Sequence, residues 1–345
     1  MKTTFPSSTH RPRPSAPGLV HVFAAGEREP LYRDIAQHPL GTVVAANDDL
    51  LVEAHFSEPL TAYATGWRDP SDLQGALDFV APMVPVSRRF EFAQAANAEE
   101  FFSEVDDVRA IGADFKRVDY TSSKALGITL NKGLTLRVDR DATVNNPHWQ
   151  QQAVSRLMRR LLRNEYRRAI TILANALAAT PKTWGGAAGE DPDQDVISDL
   201  ITGADSSGVR ANRVLYSDTS WNKRGQSYRL QTGREGTLAL ATMTPKQVAA
   251  ALGVEQVRVD RARYQATATL KNQIVGSQVI EFYAEEGLTP DDPSHIKRFV
   301  SNTDAGQPFS VYVQPYGAKL WDVTVEHYSN IIVTSTLGLR ALNIN

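Results

Sequence analysis

The chain has 345 residues, 42% hydrophobic and 22% charged, with a formal net charge of −2; it is long enough to bury a sizeable core. It contains no cysteine, which excludes disulfides, thiolate metal sites and thiol catalysis. No apolar run approaches the ~20 residues that span a bilayer, and with so small a net charge any nucleic-acid contact must come from local patches.

Residues 1–18 are rich in proline and serine, with Lys2, Arg11 and Arg13 but without the apolar core of a signal peptide. Ten prolines, from Pro6 to Pro85, break the first 86 residues. This stretch reads as an arm that buries little on its own, with short helical pieces at Leu31–Gln37 and Ser71–Val80.

A two-stranded ribbon is expected next. Its first arm, Phe115 to Thr121, carries Val118 and Tyr120 among charged residues, and Ser122 to Gly127 supplies the turn. In its second arm Ile128, Leu130, Leu134, Leu136 and Val138 alternate with polar residues, giving one apolar edge. An isolated hairpin is marginal in water, and no neighbouring run supplies a matching sheet. The apolar edge is therefore expected to dock on another subunit. On this reading, aspartate at Leu134 and Leu136 leaves a folded subunit that cannot assemble.

The ribbon leads into a helix of about 31 residues, roughly 47 Å long, with Asn145 or Asn146 as cap, Pro147 at the first position and Thr180-Pro181 at its end. Val154, Leu157, Met158, Leu161, Leu162, Ala169 and Leu173 share a broad apolar side. Arg156, Arg160, Arg163 and Arg167 form a stripe on the other side. Four like charges in one line call for a nearby anion. Acids of another subunit or of the arm, nucleic-acid phosphates, and solvent alone are the three readings. Glu165, the helix's only acid, falls on the apolar side with Arg168 as the near cation, which reads as a structural ion pair.

Residues 185–208 read as a loop-rich insertion. Asp191, Asp193 and Asp195 have calcium-loop spacing, but Val196 and Thr202 stand where the template needs glycine and glutamate; a solvated acidic loop is expected. Thr244-Pro245 opens a short helix closed by Gly253, and Val254–Val259 and Ile274–Tyr283 alternate as strands. No phosphate loop, dinucleotide fingerprint, nucleophile elbow or zinc-protease motif occurs. No cofactor, metal site or catalytic residue is indicated.

The order of these parts resembles the major capsid proteins of tailed bacteriophages, the Hong Kong 97-type fold. The matching text is Arg109–Ala113 leading to Phe115–Val118, then Gly133–Asp139 before the helix, Asn212–Ser217 ahead of Trp221, and Trp321 to the end. It spans roughly Ala81 to Asn345. The resemblance implies an α+β fold: an N-terminal arm (1–86), an extended-loop β-hairpin region (87–145), and the spine helix with the peripheral domain (146–204). An axial domain (205–286) and return strands of the peripheral domain (287–345) complete it.

The resemblance implies a non-enzymatic shell protein, self-assembling as pentamers and hexamers around double-stranded DNA in the virion, after assembly in the host cytoplasm. It further implies a portal protein, a separate scaffolding protein, a decoration protein as an optional addition, and no membrane. With Met1 present and no charged coiled-coil stretch before the arm, no large N-terminal segment is expected to be removed. Some relatives join a loop lysine to a neighbour's asparagine. Lys124 and Lys132, with Asn330, Asn343 and Asn345, are the corresponding residue types, but no motif specifies the reaction and a non-covalent shell is expected. Two alternatives stand beside this reading: an encapsulin-type nanocompartment, and a soluble α+β enzyme that would be a compact monomer or small oligomer.

Overall fold

The computed structural model describes residues 55–94, 108–109, 114, 123–176, 178–187, 189–231, 236–287 and 293–345. The chain divides into two units, Met1–Phe56 and Ser57–Asn345, and all helices and strands described belong to the second. The expected Leu31–Gln37 helix and the candidates Phe115, Val118 and Tyr120 lie outside the described residues.

Residues 57–86 correct the expected arm. They form helices α1 (Glu58–Gly66) and α2 (Leu73–Val80) and strand β1 (Met83–Pro85). Proline here starts structure: Pro59 sits in the first turn of α1, where its missing N–H costs nothing. Leu60 and Ala64 of α1, and Leu73, Leu77 and Val80 of α2, are buried in the core.

The long helix is α3, Trp149–Asn175, 27 residues and about 40 Å. It has no internal glycine or proline. The expected asparagine cap is displaced: His148 holds the N-cap position, and Asn146 Oδ1 accepts from the His148 N–H at 3.1 Å. The apolar side is as read, with Leu162 half-buried and the other six residues buried.

Strands β2 (Arg89–Gln94), β3 (Ser123–Ile128) and β4 (Leu130–Asp139) precede α3. After it come β5 (Thr180–Lys182), α4 (Pro192–Ser207), β6 (Arg213–Ser217), α5 (Asp218–Leu230) and α6 (Thr237–Ala241). Helix α7 (Pro245–Leu252) opens at Thr244-Pro245 and stops at Gly253, left-handed at φ 66°, as expected, and Thr244 and Gln247 form a capping box. Strands β7 (Gln256–Asp260), β8 (Arg263–Gln265), β9 (Lys271–Gln273), β10 (Gln278–Phe282), β11 (Ile296–Ser301), β12 (Phe309–Tyr316), β13 (Leu320–Val333) and β14 (Arg340–Ile344) complete the fold.

One sheet is built on β13, a 14-residue strand. Along one edge Leu320–Ser329 pairs antiparallel with β4. The other edge is shared between β12, opposite residues 320–327, and β11, opposite 328–333, with β1 parallel to β11. The second sheet runs β5-β14-β10-β6-β7. The return segment therefore divides: β13 belongs to the first sheet and β14 to the second.

Alternate residues of the second sheet enter different cores. Leu215, Ile280 and Ala341 pack with α2 and the C-terminal half of α3, while Val214, Tyr216, Val279, Leu342 and Ile344 pack with α4 and α7. That sheet is covered by helices on both faces. The first sheet takes α1 and the N-terminal half of α3, through Val154, Leu157, Met158 and Leu161 against Val311, Val323 and Val325. One helix thus joins two sheets, which fixes its arginine side relative to both.

The expected acidic loop is corrected too. Asp191 caps α4 by accepting from the Gln194 N–H, and Pro192 opens the first turn. Asp193 is buried against Arg224, with N–O distances of 2.6 and 2.7 Å, and Asp195 accepts from Lys182 and from the Trp184 indole. These acids hold α4 to α5 and β5.

Candidate functional site

The ribbon is built differently from its sequence reading. The partner of Ser123–Ile128 is β2, with Phe90 opposite Gly127 and Phe92 opposite Ala125. The partner of β4 is β13, whose paired residues lie 181–199 positions further along the chain. The switch falls at Thr129, buried, whose N–H donates to Arg88 O at 2.9 Å and whose hydroxyl meets Ser301 Oγ at 2.8 Å.

One side of the ribbon is covered by its own chain. Phe90 stacks on Phe299 at 4.4 Å between ring centroids, and Phe92 and Ala125 join the same small core. A Cβ on Gly127 would lie 2.4 Å from the Phe90 ring, so only glycine lets the ring lie flat there. The alternate positions are bare: Leu126 is 82% exposed, Ile128 55% and Leu130 42%. Further along, Leu134, Leu136 and Val138 are half-buried against α3 and the first sheet. The expectation of an edge without a local partner is therefore corrected for these three, because β13 and α3 supply one. Only Ile128 and Leu130 of the named candidates, with the unnoticed Leu126, form an open apolar row among the described residues.

Lys132 lies in the same alternating phase as these apolar residues, and its side chain is buried. Its Nζ donates to Glu165 Oε1 at 2.9 Å and to Ser329 Oγ at 3.0 Å. Ser329 donates to Glu165 Oε2 at 2.9 Å, the expected Arg168 bond to Glu165 measures 2.5 Å, and His327 Nε2 is 3.9 Å from the carboxylate. Burial pushes the Glu165 carboxyl up, but the nearby His327 ring and the Lys132 and Arg168 charges outweigh it and hold it well below the usual range. Burial pulls the Lys132 amine down, Glu165 opposes this, and Arg168 adds to it. The geometry clamps the ribbon base (β4), the spine helix and β13 together. Sequence reading found Glu165 and Arg168 but missed Lys132, Ser329 and His327; a lysine in an apolar phase was the available signal.

The arginine stripe stands as read, and Arg159 broadens it. Arg156, Arg159, Arg160, Arg163 and Arg167 are all exposed. Among the described residues the first four have no ion-pair partner, and Arg167 lies over the Tyr264 ring at 3.8 Å.

No protein-family model and no curated protein matches the chain. Solved structures do. A phage-related protein from Bordetella bronchiseptica RB50 superposes with TM-score 0.59 at 20% identity, covering 84% of this chain and 98% of that one. The capsid of cyanophage P-SCSP1u gives TM-score 0.48 at 9% identity, over 78% and 87% of the two chains. The SrpI encapsulin from Synechococcus elongatus PCC 7942 gives 0.43 at 11%, over 90% and 95%. The first of these carries the fold: the chain shares the α+β fold of that phage-related protein over nearly its whole length.

Proposed function

We propose that the chain is the major capsid protein of a tailed bacteriophage. Many copies, gathered as pentamers and hexamers, close an icosahedral shell around double-stranded DNA, with a separate scaffolding protein and a portal protein as partners. It acts by assembly rather than by turnover. The observation that supports this best, beside the fold, is the open row Leu126, Ile128 and Leu130 on a ribbon whose other side is already covered. Such a row stabilises a contact with another subunit by about 1.5–3 kcal/mol per fully buried residue, multiplied across a closed lattice.

Negative-stain microscopy and sedimentation of the purified chain test the reading. Shells are expected; a monodisperse monomer would sink it. Two double variants locate the contact. Leu126→Asp with Ile128→Asp is expected to give folded subunits that do not close. Leu134→Asp with Leu136→Asp, read from sequence as assembly-defective only, is now expected to unfold the subunit, because both leucines pack under α3. Normal shells from the first pair would remove the ribbon row from the argument.

The shell is further expected to be non-covalent. Lys132 is committed to Glu165 and Ser329, which leaves exposed Lys124 of the two loop lysines. Boiled particles should run as one band near 37.9 kDa. A ladder of multimers would overturn this, and Lys124→Arg should then abolish the ladder, since arginine keeps its proton.

A further inference from the structure

We infer that the arginine side of α3 and a cationic groove beside its C-terminal half form one track for the phosphate backbone of duplex DNA. The inference deepens the shell reading and rests on it, since it names the partner of this side of the subunit.

The groove is an open cleft of about 750 Å³ where α3, α5, the β8–β9 hairpin and β14 meet. Arg167, Arg263 and Lys271 line it, and the remaining lining residues are neutral: Thr171, Thr219, Asn272, Gln273, Ser277, Gln278 and Asn343 supply hydroxyls and amides, with no carboxylate. Beside it Asp218 bonds Arg263 at 2.7 Å and approaches Arg261 at 3.5 Å. One carboxylate serves two arginines there, so the hairpin keeps a positive excess. Arg167 links the groove to the helix, its guanidinium flat on Tyr264, and Arg163, Arg160, Arg159 and Arg156 continue the line.

Charge spacing favours a nucleic-acid backbone. From Arg156 to Arg167 the helix rises roughly 17 Å. One strand of B-DNA presents a phosphate about every 3.4 Å of axis, hence about five over that length. The helix side offers five arginines, four of them without an ion-pair partner among the described residues. A line of guanidiniums without groove-reading side chains contacts phosphate and carries no sequence preference. An acidic segment of a neighbouring subunit is the competing occupant, and the experiment separates the two.

The test uses the full-length chain, a fluorescein-labelled 20-base-pair duplex, and anisotropy between 50 and 200 mM KCl. Each phosphate contact contributes about 0.9 to the slope of log K against log salt. Arg160→Gln with Arg163→Gln should lower the slope by about 2 and weaken binding at least tenfold at 100 mM. Lys271→Gln, in the groove, should lower it by about 1. Lys246→Gln, on α7, should leave it unchanged. Parallel slopes for wild type and all variants overturn the track. Binding of polyglutamate in place of the duplex overturns it in favour of a protein partner. Anisotropy is read on unassembled subunits, since a closed shell shuts the duplex out, and micrographs of the same chains after assembly keep the two readings apart. Closed shells with lost duplex binding support both. Closed shells with unchanged binding overturn the track alone. Absence of shells from the wild-type chain overturns the shell reading.

Discussion

Replacing Glu165 with alanine is expected to destabilise the subunit by roughly 3–5 kcal/mol, the cost of leaving a buried partner uncompensated. The carboxylate receives Lys132, Arg168 and Ser329, and Lys132 is buried within the β4–β13 ladder. Arg168 is the more forgiving partner, since its side chain is 22% exposed and can swing outward. Glu165→Gln should lose less, because the amide oxygen still accepts from the ammonium. The double variant Glu165→Leu with Lys132→Met should recover most of the loss, since two apolar groups of similar size leave no charge behind. Urea unfolding of unassembled subunits reads all three. A loss below about 1 kcal/mol for the alanine variant would mean that water reaches the cluster.

Local signals were legible and long-range ones were not. The apolar side of α3 could be read from residues three and four apart, and the alternation of Leu134, Leu136 and Val138 from period two. The opening of α7 at Thr244-Pro245 needed only adjacent residues. In each case the interacting groups sit within one turn or one strand of one another in the chain. The partner of β4 could not be found this way. Leu134 pairs with Val325, and nothing in either segment specifies the other, so a covered strand looked bare. The prolines misled for a related reason. Pro59 occupies the first turn of a helix, where the missing N–H removes no bond, yet in sequence it resembled a break.

The candidate residues divide the same way. Arg156, Arg160, Arg163 and Arg167 share a side of one helix, so helical geometry alone gathers them. The groove that extends them needs α5, the β8–β9 hairpin and β14 brought beside Arg167, which only the tertiary fold does. Glu165 and Arg168, three apart, were found; Lys132, 33 positions earlier, and Ser329, 164 later, were not. Asp191, Asp193 and Asp195 looked like a solvated run because Tyr228 and Arg224, the partners of the first two, lie 37 and 31 positions on, and Lys182, which bonds Asp195, lies 13 positions earlier.

Glu281→Gln is expected to flatten the alkaline side of the stability profile. Glu281 lies at the centre of the second sheet, fully buried on β10, between Val214 of β6 and Arg340 of β14. Neither carboxyl oxygen has a hydrogen-bond partner among the described residues, and Arg340 is already engaged by Asp199 of α4. Burial pushes the Glu281 carboxyl well above the usual 4.5, Asp199 adds to the rise, and Arg340 offsets part of it. The folded state therefore keeps a proton that the unfolded chain releases. Stability is full below the unfolded value of about 4.5 and falls as pH rises toward the raised folded value, by about 1.4 kcal/mol per unit within that window. His295 acts with the opposite sense. Its Nδ1 accepts from the Tyr283 N–H, its Nε2 meets Leu337 O, and burial pulls it down to about 4. Its contribution is lost as pH falls from 6.5 through that value. The wild-type profile should thus decline on both sides, and Glu281→Gln, neutral at every pH, should remove only the alkaline decline. Urea midpoints at half-unit steps from pH 4 to 8.5 measure it. Parallel declines above pH 5 in wild type and variant would show that Glu281 is ionised in the folded subunit and is compensated by a rearrangement of Arg340.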